Sequence, residues 1–233
     1  MDFLADGIRR AWSLLVSGDA EVYGVAFLTL KIAAVATTIA CVAGIPTGFL
    51  LASRPFWGRR AALTVVNTAL AFPTVVVGLL LYSLLSHRGP LGGLELLYTW
   101  EAIAIGDILL AFPVAAALSA AAVQTVDPRI RRTALTLGAG PVQAAWAVAR
   151  EARFALAAVI TAAFGQTVAE VGAAMIVGGN IRGSTRTLTT AVALYTSQGD
   201  FGLAIALGII LLGLALAVNI GLQTLQGRGA TRG

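Results

Sequence analysis

Asp127-Pro-Arg-Ile-Arg-Arg-Thr-Ala-Leu-Thr-Leu-Gly-Ala-Gly-Pro-Val-Gln-Ala-Ala-Trp-Ala-Val-Ala-Arg-Glu-Ala-Arg153 is the one long polar interruption flanked on both sides by segments apolar enough to cross a membrane. It holds five of the sixteen Lys and Arg residues: Arg129, Arg131, Arg132, Arg150 and Arg153. Asp127 suits a helix N-cap and Pro128 the first helical position. Gly138 and Gly140 suit the end of that helix, and Pro141 the start of another. The spacing predicts helices over 128–137 and 141–150. Ile130, Ala134 and Leu137 share one face of the first, and Val142, Ala145, Trp146 and Ala149 one face of the second. Two short amphipathic helices with a glycine elbow, hung between membrane spans, have the form of a part that docks onto another protein.

The composition agrees with a membrane protein. The 233 residues are 58% hydrophobic and 12% charged, against about 25% charged in an ordinary soluble domain. Several apolar runs approach the length that crosses a bilayer, within a single integral membrane domain. The net charge of +5 sits between spans rather than on one soluble face, which excludes a nucleic-acid binder and fits the positive-inside rule. Cys41 lies mid-span as a small apolar filler, so there is no disulfide framework. The N-terminus is mixed in charge and lacks the basic n-region of a cleavable signal.

Outward from the central loop, the chain is expected to be all-α, with about five transmembrane helices. Residues 2–16 set Leu4, Ile8, Ala11, Trp12 and Leu15 on one face, an interfacial helix too short and charged to span. Span one runs from about Val22 to Ala52, with Lys31 placed to snorkel and a kink expected at Gly44-Ile-Pro46-Thr-Gly48. The loop 53–60 carries Arg54, Arg59, Arg60 and Trp57, a cytoplasmic boundary. Span two is Ala61–Leu85 with Pro73, followed by an outer loop in which His87 reads as solvated. Span three is Ala102–Val126, with a kink expected at Pro113. Asp107 lies near its outer end, where a functional and a wet structural role are both open. Span four is Phe154–Val177 and contains Glu170. Residues 187–198 form an element too short to span, re-entrant or at the outer surface, with Leu188, Ala191, Val192 and Tyr195 on one face. Span five is Phe201–Leu222.

With the N-terminus outside, cytoplasmic segments hold ten of the sixteen Lys and Arg, and the outside holds seven of the eleven acids. The reverse orientation inverts that bias, so the N-terminus is expected outside and the C-terminus in the cytoplasm. The central loop is then cytoplasmic.

That arrangement resembles the membrane permease subunit of ATP-binding-cassette importers. Those subunits carry a loop of Glu-Ala-Ala, three residues and Gly, ending near Leu-Pro. Here Arg132-Thr133-Ala134-Leu-Thr-Leu-Gly138 matches it, with Val148 at the later apolar position. Arg132 and Thr133 replace the Glu and first Ala, and Arg150-Glu151 stand where Leu-Pro is usual. A second stretch, Phe164-Gly-Gln-Thr-Val-Ala-Glu170-Val-Gly172-Ala-Ala-Met-Ile-Val-Gly-Gly179-Asn180-Ile-Arg-Gly, is similar to the sulfate, molybdate and tungstate branch. There Glu-Phe-Gly-Ala is followed by Gly-Asn, and Val171 takes the Phe position. Gly178-Gly-Asn-Ile-Arg-Gly, Thr185-Arg-Thr-Leu-Thr-Thr190 and Thr196-Ser-Gln-Gly-Asp-Phe201 are more similar to tungstate permeases than to molybdate ones. The resemblance covers about residues 20–225.

The resemblance implies a type I importer permease fold (MetI-like). Residues 1–20 are the interfacial helix, 21–225 the permease domain with coupling helices at 128–150, and 226–233 a cytoplasmic tail. It implies two ATPase subunits docked on Arg132, Thr133, Ala134, Gly138, Val142 and Trp146. It also implies an external oxyanion-binding protein, a second copy of the chain, lipid, and no cofactor or metal. The substrate path or gate would include Glu170, Gly172, Gly178, Gly179, Asn180, Arg182, Arg186 and Thr189. Tungstate is the implied cargo, with molybdate or sulfate the alternative.

A dianion's path needs weak, multiple donors. Gly178, Gly179, Asn180 and the threonines 185, 187, 189 and 190 are candidate donors, and Arg182 and Arg186 are candidates to draw the anion in. The plainer reading has Gly178-Gly-Asn180 ending a helix and the arginines meeting headgroups. Glu170 repels an oxyanion, so it is expected to pair with a cation or backbone donor and fix the gate. There is no Gly-x-x-x-x-Gly-Lys-Ser/Thr loop, so ATP hydrolysis falls to a partner. One His and one Cys make no zinc site or dyad. A secondary transporter would show repeated halves, and a passive scaffold would not need the glycine-hinged loop.

Overall fold

The computed structural model describes residues 3–53 and 56–230. Asp2, Arg54 and Arg232, used above for the terminal helix and the charge bias, lie outside them. The helices are α1 (Phe3–Val16), α2 (Ala20–Ser53), α3 (Arg59–Ala69), α4 (Thr74–Leu85), α5 (Trp100–Gln124), α6 (Pro128–Thr136), α7 (Pro141–Glu151), α8 (Arg153–Val168), α9 (Gly172–Gly178), α10 (Leu188–Ser197) and α11 (Phe201–Ala230). A short 3-10 turn, Gly92–Leu94, lies in the loop before α5.

Three helices, α2, α5 and α11, are each long and apolar enough to cross a membrane. The other two expected spans are bent pairs. Span two is broken between α3 and α4 by 100°, and span four between α8 and α9 by 53°. The spans read as single helices are therefore corrected to two broken ones. At Pro73 the missing N–H and extended backbone (φ −62°, ψ 122°) end the run and begin α4. At 169–171 the break falls beside Glu170, whose side chain accepts from the Ala173 N–H in the first turn of α9.

Pro46 and Pro113 both lie inside continuous helices, whereas Pro73 marks a break. Pro113 is buried among its neighbours, while Pro46 is exposed.

α5 is the central helix. Its face of Ala111, Ala115, Ala116, Ser119 and Ala120 is buried against α2. On α2, β-carbons added at Gly44 or Gly48 would collide with Ala115, Ala116 and Ser119. In lipid, where apolar burial does not drive helices together, such small residues let backbones approach and supply the packing energy. Ala40, Cys41, Val159 and Ala163 extend this small-residue core to α8. Cys41 is buried there as a filler.

The outer layer also differs from the expectation. α1 is docked on α11: Ala11 is buried with Ala206 and Leu207, and a β-carbon at Gly7 would strike Ile205. Leu4, Ile8, Trp12 and Leu15 point away and are exposed. The apolar set read as one face is thus split, because Gly7 and Ala11 are small enough to admit α11. α10 is packed into the bundle, with Leu188 and Ala191 buried in the cluster shared by α1, α2 and α11.

Candidate functional site

The two helix breaks face each other. α9, only seven residues long, is wedged between α4 and α5 by glycines. A β-carbon at Gly78 of α4 would lie 2.8 Å from Ala173 Cα, and one at Gly178 would lie 2.6 Å from Ile103 of α5. Gly172 stands against Thr74 and the Val75 backbone. The sequence offered Gly172 and Gly178 as path residues, whereas here they permit contact between three helices.

Glu170 sits in the break, 6% exposed. Of the two partners expected for it, the structure supplies the backbone donor: Ala173 N–H donates to Oε1 at 2.9 Å. Its carbonyl accepts from Thr189 Oγ1 at 2.8 Å, so α9 and α10 are joined through one residue. Asp107 was placed near the outer end with a wet role open. It is instead 3% exposed, and its Oδ1 has no hydrogen-bond partner among the described residues.

The turn after α9 consumes the donors expected to line an anion path. α9 ends at Gly178, with Gly179 in the left-handed region (φ 68°) and Asn180 beside it at φ 51°. Thr185 Oγ1 donates to the Gly178 carbonyl and accepts from Ile181 N–H. Thr190 Oγ1 donates to Asn180 Oδ1 at 3.0 Å, and Asn180 Nδ2 returns a bond to the Thr190 carbonyl at 3.3 Å. Thr187 caps α10 by accepting from Thr190 N–H and lies 2.9 Å from the Thr189 hydroxyl. The threonines 185, 187, 189 and 190 are all buried. A buried hydroxyl must find a partner, and these candidate donors to an anion path are engaged by one another and by the carbonyls of Gly178 and Glu170.

Arg182 and Arg186 are held by Glu21 of α2. Arg182 Nε donates to Glu21 Oε1 at 2.8 Å and its terminal nitrogen to Oε2. Arg186 Nη1 lies 3.5 Å from Glu21 Oε1, and its Nη2 reaches the Asn180 carbonyl. The Glu21 carboxylate raises the Arg182 pKa, through the hydrogen bond first and its charge second. Sequence order hid Glu21 as the clamp of this turn.

The central loop forms as its punctuation dictates. Asp127 accepts from Arg129 N–H at 2.8 Å, and α6 ends before Gly138 in the left-handed region (φ 88°) with open space around it. Gly140 N–H donates to Gln143 Oε1, fixing the start of α7. Ala144 and Val148 of α7 turn inward, while Val142 and Trp146 are 81% and 72% exposed. Leu137 is 82% exposed, and Arg132 and Thr133 are exposed on the same loop. These large apolar side chains, beside the exposed Arg132, are left uncovered by the other described residues. His87 is exposed in the outer loop, as read.

Residues 44–229 match the family of the binding-protein-dependent transport system inner membrane component. The chain belongs to this family. This inner membrane component is similar to a tungstate uptake system permease protein, TupB, of Peptoclostridium acidaminophilum, 40% identical over 97% of this chain and 99% of the relative. It is also similar to a protein of that name from Campylobacter jejuni subsp. jejuni, 39% identical over 94% and 92% of the two chains. Among solved structures, a chain of a bacterial alginate ABC transporter, crystallised with a pentasaccharide-bound periplasmic protein, matches with a TM-score of 0.72. That match is 16% identical and covers 95% of this chain and 86% of that one, so it supports the fold alone. The multi-pass inner membrane component has the type I importer fold.

Proposed function

We propose that the chain is the membrane subunit of an ATP-driven tungstate importer. The observation that carries this reading is identity of 40% with a tungstate uptake permease along almost the entire length of both chains, on a fold with a cytoplasmic docking loop. The chain itself hydrolyses nothing. Two ATPase subunits grip α6 and α7 at Arg132, Thr133, Ala134, Gly138, Val142 and Trp146. A second copy of the chain closes the path, and an external binding protein delivers the anion. The N-terminus lies outside and the C-terminus in the cytoplasm, with 1–20 as an interfacial element, 21–225 as the permease domain and 226–233 as a tail.

Mechanically, closure of the ATPases pushes α6 and α7, which feed directly into α8. The break at Glu170 converts that push into a tilt of α9 against α4. Glu170, Gly172, Gly178, Gly179, Asn180 and Thr189 form the gate by fixing its shape, with hydrogen bonds that hold α9 to α10. Arg182 and Arg186 tie the outer turn to α2 through Glu21. Arg182 and Arg186 are engaged by Glu21, which lessens their hold on a passing tungstate dianion.

The test is tungstate uptake in cells expressing the chain with its partner subunits, under excess molybdate or sulfate. A Gly138→Val variant is the control. Loop-dependent uptake that resists both competitors is expected. Suppression by either anion would reassign the cargo, and absence of loop-dependent uptake of all three would remove the importer reading.

A further inference from the structure

We propose that the outer end of α2 carries a site for an anionic phospholipid, with its phosphodiester held by Lys31, Arg182 and Arg186 and an acyl chain laid over Phe27. A cavity of about 520 Å³ beside α2 is lined by these three cations, with Glu21 as its one acid. Glu21 is shared between the two arginines, so the cavity keeps an excess of positive charge. Arg186 Nε is buried and has no partner among the described residues.

The depth of the cavity is fixed by Lys31, whose ammonium lies 3.5 Å from the centroid of the Trp100 ring at the start of α5. Trp100 opens α5 at the level where Trp marks the headgroups, and Lys31, twelve residues into α2, reaches that ring by its flexible stem. The cavity's other lining is apolar, including Val25, Phe27 and Leu28. Phe27 is 71% exposed and also lines a second cavity of about 590 Å³ between α2 and α11. Tyr23, Ala26, Leu30, Ile209, Gly213 and Leu214 contribute to that second cavity, and no charged side chain does. One basic cavity at headgroup depth and one apolar cavity, separated by a single exposed ring, match a molecule with an anionic head and a long chain. A small free oxyanion would fill only the first.

The inference rests on the membrane reading and not on the cargo. The test uses the transporter purified with its partner subunits in detergent, and native mass spectrometry with phosphatidylglycerol and phosphatidylcholine of equal chain length. Preferential retention of phosphatidylglycerol is expected. Lys31→Gln combined with Arg182→Gln should lower its occupancy about 30-fold, from one favourable interaction per cation at an anionic surface. Arg88→Gln, in an outer loop that lines neither cavity, should leave it unchanged. Equal retention of the two lipids by the unaltered protein overturns the proposal without any variant. So does an equal loss in the double variant and Arg88→Gln. Displacement of the lipid by added tungstate also overturns it, and assigns the basic cavity to a free oxyanion.

Discussion

Gly172 and Thr74 meet so closely that a β-carbon on the glycine would lie 2.5 Å from the threonine hydroxyl. The contact joins the break before α4 to the break before α9, on spans that are far apart in sequence. Gly172→Ala must therefore displace Val75 and its backbone as well as the hydroxyl. We expect a loss of about 1–3 kcal/mol from overpacking, read as a lower unfolding temperature of the purified protein. Gly165→Ala, where a β-carbon meets open space, should be neutral or slightly stabilising. Equal effects at both positions would contradict the packing account.

Glu170 should separate capping from charge. Glu170→Ala removes the acceptor for Ala173 N–H, at a cost of about 1 kcal/mol, and should impair uptake. Glu170→Gln keeps an oxygen in place and should retain much more uptake than the alanine variant. Uptake and assembly unchanged in both variants would sink the gate role.

Trp146→Ala should leave the protein folded and inserted, since the ring is mostly exposed. It should weaken association with the ATPase subunits by about 2 kcal/mol or more, as truncating an interfacial aromatic anchor does. Co-purification of the ATPase with the variant is the readout. Val148→Ala, on the inward face, should instead lower stability by about 1–3 kcal/mol for its two lost methyl groups.

Thr190→Val keeps shape and removes one hydroxyl that serves both Asn180 and Thr187. The expected destabilisation is about 1–3 kcal/mol, because Asn180 Oδ1 is left without its donor. Thr196→Val, at an exposed position on the same helix, should cost far less. Thermal unfolding of the two variants side by side decides it.

Single-sequence reasoning reached the spans, the loop and their order. Asp127, Pro128, Gly138 and Pro141 act through bonds within a few residues, so α6 and α7 were legible to within one residue at each end. Composition alone required helices in lipid, because every backbone group there must be satisfied within its own segment. Tertiary structure decided the rest. Pro46 and Pro113 look like Pro73 in sequence, yet only Pro73 breaks its span. The threonines of 185–190 look like free donors until burial gives them partners in one another and in nearby backbone groups. Glu21 and Arg182 are 161 positions apart, and Thr189 and Glu170 are joined across two helices. Local pattern carries no information about such pairs, since only packing sets which helix faces meet.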